Sequence, residues 1–223
     1  MVSVIIAAGG KGTRMGADIN KVYLKILDKE ILMHTVLAFE ENANVDEIII
    51  VTGENDIEKC KQLTQKHGTK KVAKIVCGGD TRQQSVFNGI MASNGDIIAI
   101  HDGARALISQ DEINSVIADC KEFGAAALGV KVKDTLKAAQ NGFIQSTVDR
   151  SNIYSIQTPQ VFLSEEIIAA HKGAKNPDAT DDCTLAEEAG IKIKITEGSY
   201  NNIKITTPED IVIATEILKG RKI

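Results

Sequence analysis

Three stretches of this chain put glycine beside charge in a way that suits phosphate chemistry. The first is Ala8-Gly9-Gly10-Lys11-Gly12-Thr13-Arg14-Met15-Gly16. Its glycines leave backbone N–H groups open to phosphate oxygens, with no Cβ in the way. The glycine spacing fails the dinucleotide fingerprint, and no Gly-Lys-Ser/Thr closes the loop as in a P-loop. Arg14 and then Lys21 add two cations, which suits a polyphosphate ligand. The second stretch is Gly78-Gly79-Asp80-Thr81-Arg82-Gln83-Gln84-Ser85, where glycines lead into a helix start that favours anions. The third is Ile100-His101-Asp102-Gly103-Ala104-Arg105. An aspartate facing phosphates there can position a divalent cation, and His101 reads as a core histidine bonded to backbone. Further on come Asp149-Arg150-Ser151, Gln157-Thr158-Pro159-Gln160 and Asn201-Asn202-Ile203-Lys204-Ile205-Thr206-Thr207-Pro208. Lys204 is expected to lie in a strand, facing away from Ile203 and Ile205.

Residues this far apart can meet only where a fold gathers the ends of its strands. Val2–Ala7 is a near-continuous apolar run that stops at glycines, and 47–52, 72–76, 96–101 and 126–130 have the same character. Such runs suit strands buried on both faces. Amphipathic segments at 31–41, 56–67, 81–92 and 110–123 alternate with them. The pattern predicts an α/β, Rossmann-like fold: a mostly parallel open sheet with helices on both faces. In such sheets ligands bind at the carboxyl ends of the strands, where the three loops fall. Ser109 with Glu112 and Thr81 with Gln84 read as capping boxes. Thr207-Pro208-Glu209-Asp210 opens a last helix that runs to about Leu218.

The stretch 131–160 breaks the rhythm. Short alternating pieces flank Asn141-Gly142, a strong hairpin signal. This protruding β-hairpin arm has few apolar residues to bury, so it is expected to pack on a second copy of the chain.

Bulk composition removes several alternatives. A net charge of -4 gives no basic footprint for nucleic acid, and 4% aromatics with no Trp leave no stacking platform for bases. The first residues lack the basic region of a signal peptide, and no run approaches the ~20 apolar residues of a membrane helix. Cys60, Cys77, Cys120 and Cys183 are scattered without a CxxC pair, as expected of reduced thiols in a cytoplasmic protein. The 223 residues fit one domain over 1–223.

Read in order, AGGKGTRMG, NKVYL, GGDTRQQSV, HDGAR, VKDT, TVDRSNIYSIQTPQVF, TDDCTLAEEAG and EGSYNNIKITTPED span nearly the whole chain. As a set they resemble the 2-C-methyl-D-erythritol 4-phosphate cytidylyltransferase family of non-mevalonate isoprene biosynthesis. The resemblance implies transfer of CMP from CTP to 2-C-methyl-D-erythritol 4-phosphate with release of pyrophosphate. It implies Mg²⁺ held mainly through the CTP phosphates, with Asp102 as its protein ligand. Arg14 and Lys21 would stabilise the transition state, and Lys204 and Arg150 would position the attacking phosphate. Ala8, Gly9, Gly10, Gly12, Gly79, Asp80, Ser85, Asp102 and Gly103 would form the CTP pocket. Arg105, Thr135, Thr158 and Thr180 would surround the sugar phosphate. A homodimer is implied, with the arm reaching into the neighbour so that Arg150, Thr135 and Arg105 serve the partner's site. The sister ribitol-5-phosphate cytidylyltransferase family is the alternative. Gly9-Gly10 fits its loop, whereas Thr147-Val148-Asp149-Arg150 resembles the methylerythritol form. Asn20 stands where the family often has Pro, Gly9 where Ala is common, and Ala106 where Pro is usual.

Overall fold

The computed structural model describes residues 1–10, 20–175 and 179–221. Gly12 and Arg14, both expected in the site, lie outside the described residues. The elements in chain order are β1 (Val2–Ala7), β2 (Lys25–Ile26), β3 (Lys29–Glu30), α1 (Ile31–Glu40), β4 (Glu47–Thr52), α2 (Ile57–Lys66) and β5 (Val72–Cys77). There follow α3 (Arg82–Ala92), β6 (Ile97–Asp102), α4 (Gln110–Phe123), β7 (Ala125–Lys131), β8 (Lys137–Gln140) and β9 (Phe143–Thr147). The chain continues with β10 (Tyr154–Leu163), α5 (Ser164–Gly173), α6 (Asp182–Glu188), β11 (Lys194–Glu197) and α7 (Pro208–Gly220). No described helix is long and apolar enough to cross a membrane.

Seven strands form one sheet in the order β11-β7-β10-β6-β1-β4-β5. All neighbours pair in parallel except β10, which runs antiparallel to both β6 and β7. The chain steps from β1 outward to β4 and β5, then returns to the other side of β1 with β6. That reversal opens a crevice at the carboxyl ends of β1 and β6. Ala7 and Asp102 are register partners there.

The apolar strands behave as period-2 ribbons with both faces covered. Val4, Ile6, Ile48 and Ile50 pack with Leu32, Val36 and Phe39 of α1 and with Ile113, Val116 and Ile117 of α4. Ile5, Ile49 and Val51 pack on the opposite face with Val86 and Ile90 of α3 and with Ile167 and Ala170 of α5. Each such fully buried side chain contributes roughly 1.5–3 kcal/mol. Gly89 of α3 lets that helix sit tightly on the sheet: a Cβ there would come within 2.5 Å of Ile5 Cγ2 and 2.7 Å of Val51 Cγ2. Gly89→Ala is therefore expected to destabilise the protein by about 1–3 kcal/mol through overpacking. A lowered denaturant midpoint would register it. An unchanged midpoint would mean that α3 moves off the sheet without cost.

The caps divide. Ser109 and Glu112 form the reciprocal box. Thr81 accepts from Gln84 N, but Gln84 reaches back to Asp80 N, one residue upstream of the cap. Asp210 accepts from the backbone of Thr206 and Thr207, which fixes the entry to α7.

The chain departs from the sequence reading in two segments. The hairpin turns at Asn141 and Gly142, both with positive φ, but it occupies only Lys137–Gln140 and Phe143–Thr147. Residues 154–160, read as part of the arm, belong to β10 in the central sheet. Their polar side chains disguised them, and in the fold those side chains find buried partners. Gln160 is 1% exposed, donates to Asp181 and accepts from the N–H groups of Asp182 and Cys183. Residues 203–205, read as a strand, join no ladder; a backbone bond from Ile205 N to Ala104 O and the Lys204–Asp102 ion pair tie them down. The expected alternation still holds: Ile205 is buried beneath α7, while Lys204 stays exposed.

Candidate active site

A cleft of about 630 Å³ lies at the carboxyl ends of the central strands. Its walls come from three stretches singled out above and from two distant ones: Ala8 to Gly10, Lys21, Gly79 to Arg82 with Ser85, Asp102, and Lys204. Each is positioned locally. Ala8 N bonds Val51 O, which holds the loop after β1 against β4. Asn20 donates to Ala8 O at 2.8 Å and accepts from Val22 N, so the short turn that carries Lys21 is pinned to the same loop. Both tethers use the Asn20 side-chain amide, which a proline at this position could not supply. At Gly79 a Cβ would collide with the Gln84 side chain. Ser85 Oγ braces that loop, accepting from Gly79 N and donating to Thr81 O.

Asp102 is the electrostatic centre. Its carboxylate lies 2.8 Å from Lys204 Nζ and 3.8 Å from both Arg82 Nη2 and Arg105 Nε. Burial opposes its ionisation, but Lys204, Arg82 and Arg105 outweigh that and hold the carboxyl below the usual carboxylate range. Burial likewise weakens the proton affinity of Arg82, yet Asp182 and Asp102 more than restore it. Burial lowers the pKa of Arg105, against the pull of Asp102 and Glu112. A guanidinium stays charged under any of these shifts. Three cations thus converge on the single Asp102 carboxylate at the cleft wall, a setting that suits an anionic ligand.

Behind Asp102 sits a fixed hydrogen-bond chain. His101 is fully buried, with Nε2 3.2 Å from Arg105 O and Nδ1 3.1 Å from Thr158 Oγ1. A carbonyl only accepts, so Nε2 carries the hydrogen and the Thr158 hydroxyl donates to Nδ1. That hydroxyl in turn accepts from Asp102 N. Burial pushes the His101 pKa down to about 4, which keeps the ring neutral. Its expected place as a core histidine fits this geometry.

Most of the expected side chains converge. Ala8, Gly9, Gly10, Lys21, Gly79, Asp80, Ser85, Asp102 and Lys204 line the cleft. Gly103 follows Asp102 directly and donates to Ala7 O. Thr158 is 4% exposed and stands behind Asp102 rather than facing the cleft. Arg105 belongs to its own chain's Asp102 cluster and donates to Asn202 O, so it is not out on the arm with Thr135 and Arg150. Thr135, Arg150 and Thr180 are exposed and do not line the cleft. Sequence reasoning gave no role to Arg82, although it stands in the glycine stretch at the N-terminus of α3. Its partner Asp182 lies a hundred residues further along and carries no local signal. Among the described residues, no three acidic, histidine or cysteine side chains converge as a metal cage. Asp102, the acid expected to meet a divalent cation, has both carboxylate oxygens within 3.8 Å of Lys204, Arg82 or Arg105. All four cysteines are free; Cys60, Cys120 and Cys183 are buried, and burial pushes the Cys60 and Cys120 thiols up to about 12.

Residues 2–220 match the family model for 2-C-methyl-D-erythritol 4-phosphate cytidylyltransferase. The chain is 46% identical over 226 residues to the protein of that name from Alkaliphilus oremlandii, covering 99% of this chain and 96% of that one. It is 46% identical over 224 residues to the one from Caldanaerobacter subterraneus, covering 98% and 99%. Among solved structures, the 4-diphosphocytidyl-2C-methyl-D-erythritol synthase of Anaerococcus prevotii superposes with a TM-score of 0.86 at 30% identity, over 98% of this chain and 96% of that one.

Proposed function

The chain belongs to the 2-C-methyl-D-erythritol 4-phosphate cytidylyltransferase family, and we propose that the cleft around Asp102 is where it performs that family's reaction. It is a cytidylyltransferase that transfers CMP from CTP to 2-C-methyl-D-erythritol 4-phosphate and releases pyrophosphate. The ribitol 5-phosphate alternative is not favoured. One observation carries the placement: Lys21 and Lys204, from opposite ends of the chain, line one cleft with Asp102 between strand ends.

A phosphate oxygen of the sugar alcohol attacks the α-phosphorus in line, and the bond to the bridging oxygen of pyrophosphate breaks. Two anions must meet for this to happen. At ~4 Å and an effective dielectric near 20, each like-charge pair costs roughly 4 kcal/mol. Lys21 and Arg14 offset that charge at the α-phosphate, and Lys204 and Arg150 orient the attacking phosphate. The nucleophile is already ionised at neutral pH, so positioning and fixed charge suffice without a general base. Ala8, Gly9, Gly10, Gly12, Gly79, Asp80, Ser85 and Gly103 cradle CTP with backbone and small side chains. Arg105 and Thr180 serve the sugar phosphate, with Thr158 holding Asp102 from behind. Mg²⁺, carried on the CTP phosphates and met by Asp102, would neutralise further phosphate charge.

The enzyme is a cytoplasmic homodimer built through the arm. Every residue of β8 and β9 is exposed, and Phe143 is 74% and Ile144 68% accessible. A lone two-stranded hairpin with such a face is marginal in water until something covers it. Thr135 and Arg150, at the base of the arm, then reach the neighbour's cleft.

Pyrophosphate release tests the substrate assignment. With CTP, kcat/KM for 2-C-methyl-D-erythritol 4-phosphate is expected to exceed that for ribitol 5-phosphate by about 10²-fold or more. Equal values, or a preference for ribitol 5-phosphate, would overturn it.

A further inference from the structure

His171 takes no part in the reaction as described, yet it lies on the only described ion-pair path that joins α5 and α6 to the cleft. Its side chain is 1% exposed, and Nε2 lies 3.1 Å from Asp182 Oδ1. The other oxygen of Asp182, whose side chain is fully buried, lies 2.8 Å from Arg82 Nη1. Arg82 Nη2 lies 3.8 Å from Asp102 Oδ1, and Arg82 lines the cleft with its side chain 29% exposed. The chain of contacts therefore runs from α5 through α6 and α3 to the end of β6.

The chemistry at each end gives this path a direction. An Asp182 carboxylate paired with Arg82 only accepts, so His171 Nε2 carries the hydrogen and donates. His171 Nδ1 has no partner among the described residues, although it is buried. The ring stacks on Phe87 with centroids 5.5 Å apart, a contact any aromatic ring could make. A phenylalanine would keep the ring contact and strand no Nδ1, but it would leave the buried Asp182 Oδ1 without its donor. What histidine alone supplies is the Nε2–H bond. With Oδ1 tied by His171 and the N-terminus of α6 tied to Gln160, the Asp182 carboxylate has one orientation left. Arg82 is then held at the cleft wall, 3.8 Å from Asp102.

We propose that His171 and Asp182 are positioning residues for nucleotide binding, acting through Arg82. The inference rests on CTP occupying the cleft around Asp102. The test compares His171→Phe, which keeps the ring, with His171→Gln, which keeps a donor at the reach of Nε2. His171→Phe is expected to raise KM for CTP about tenfold with kcat within twofold, because uniform binding is lost. His171→Gln should stay within twofold of the parent in both. In an Arg82→Ala background, His171→Phe should add nothing further, since the residue it acts through is gone. His171→Asn, too short to reach Asp182, should reproduce the phenylalanine result. An equal penalty in the Arg82→Ala background would overturn the proposal. So would a glutamine variant as impaired as the phenylalanine one, or a fall in Tm with KM unchanged, or failure of all three variants to fold. A parent enzyme that does not turn over CTP would instead remove the functional reading beneath it.

Discussion

Lys21→Ala lowers kcat about 10²–10³-fold, and KM for CTP rises by less. That result is expected because fixed donors aimed at charge that develops in the transition state each contribute on this scale. Lys21 is placed for the task. Its turn is tethered through Asn20 to the loop after β1, and it shares the cleft with Asp102 and Lys204. Loss of a cation that bound the ground state and the transition state equally would raise KM and leave kcat alone. Steady-state rates at saturating CTP distinguish the two. Near-parental kcat in a folded Lys21→Ala enzyme would remove Lys21 from the catalytic set.

Arg150→Ala should weaken the sugar phosphate instead, raising its KM about 10- to 100-fold through loss of a bidentate phosphate contact. The larger effect comes from mixing. If each site joins one chain's cleft to the other chain's arm, a dimer of one Lys21→Ala chain and one Arg150→Ala chain has one intact site and one doubly altered site. Random re-association of two nearly inactive parents would then restore about a quarter of full activity. Sites built within one chain would each keep one lesion, and mixing would restore nothing. The exposed apolar tip, Phe143 and Ile144, and the absence of Arg150 from its own cleft favour the first outcome.

Much of the site was legible because it is local. Glycine-rich loops that follow apolar runs can be read from a dozen residues, and those runs became β1, β5 and β6 with Gly9, Gly79 and Asp102 at or just beyond their ends. Lys204 was legible from the alternation around it, although the strand expected there is absent. Arg82 was passed over because its importance comes from Asp182, and no short window contains both. The strand β10 was passed over for a related reason. Gln157, Thr158 and Gln160 look like a loop, and only their buried partners make them tolerable in the centre of a sheet: Ser199, His101 and Asp181.

The sequence by itself determined which segments would be strands buried on both faces and which loops could accept phosphate, since apolar period and glycine content act within a single element. Tertiary structure alone decided the strand order, the antiparallel insertion of β10, and the meeting of Lys204, Arg82 and Arg105 on one carboxylate. The physical reason is that a buried polar group is stable only with its partner. That partner is chosen by the packing of elements distant in the chain, and local pattern does not encode it.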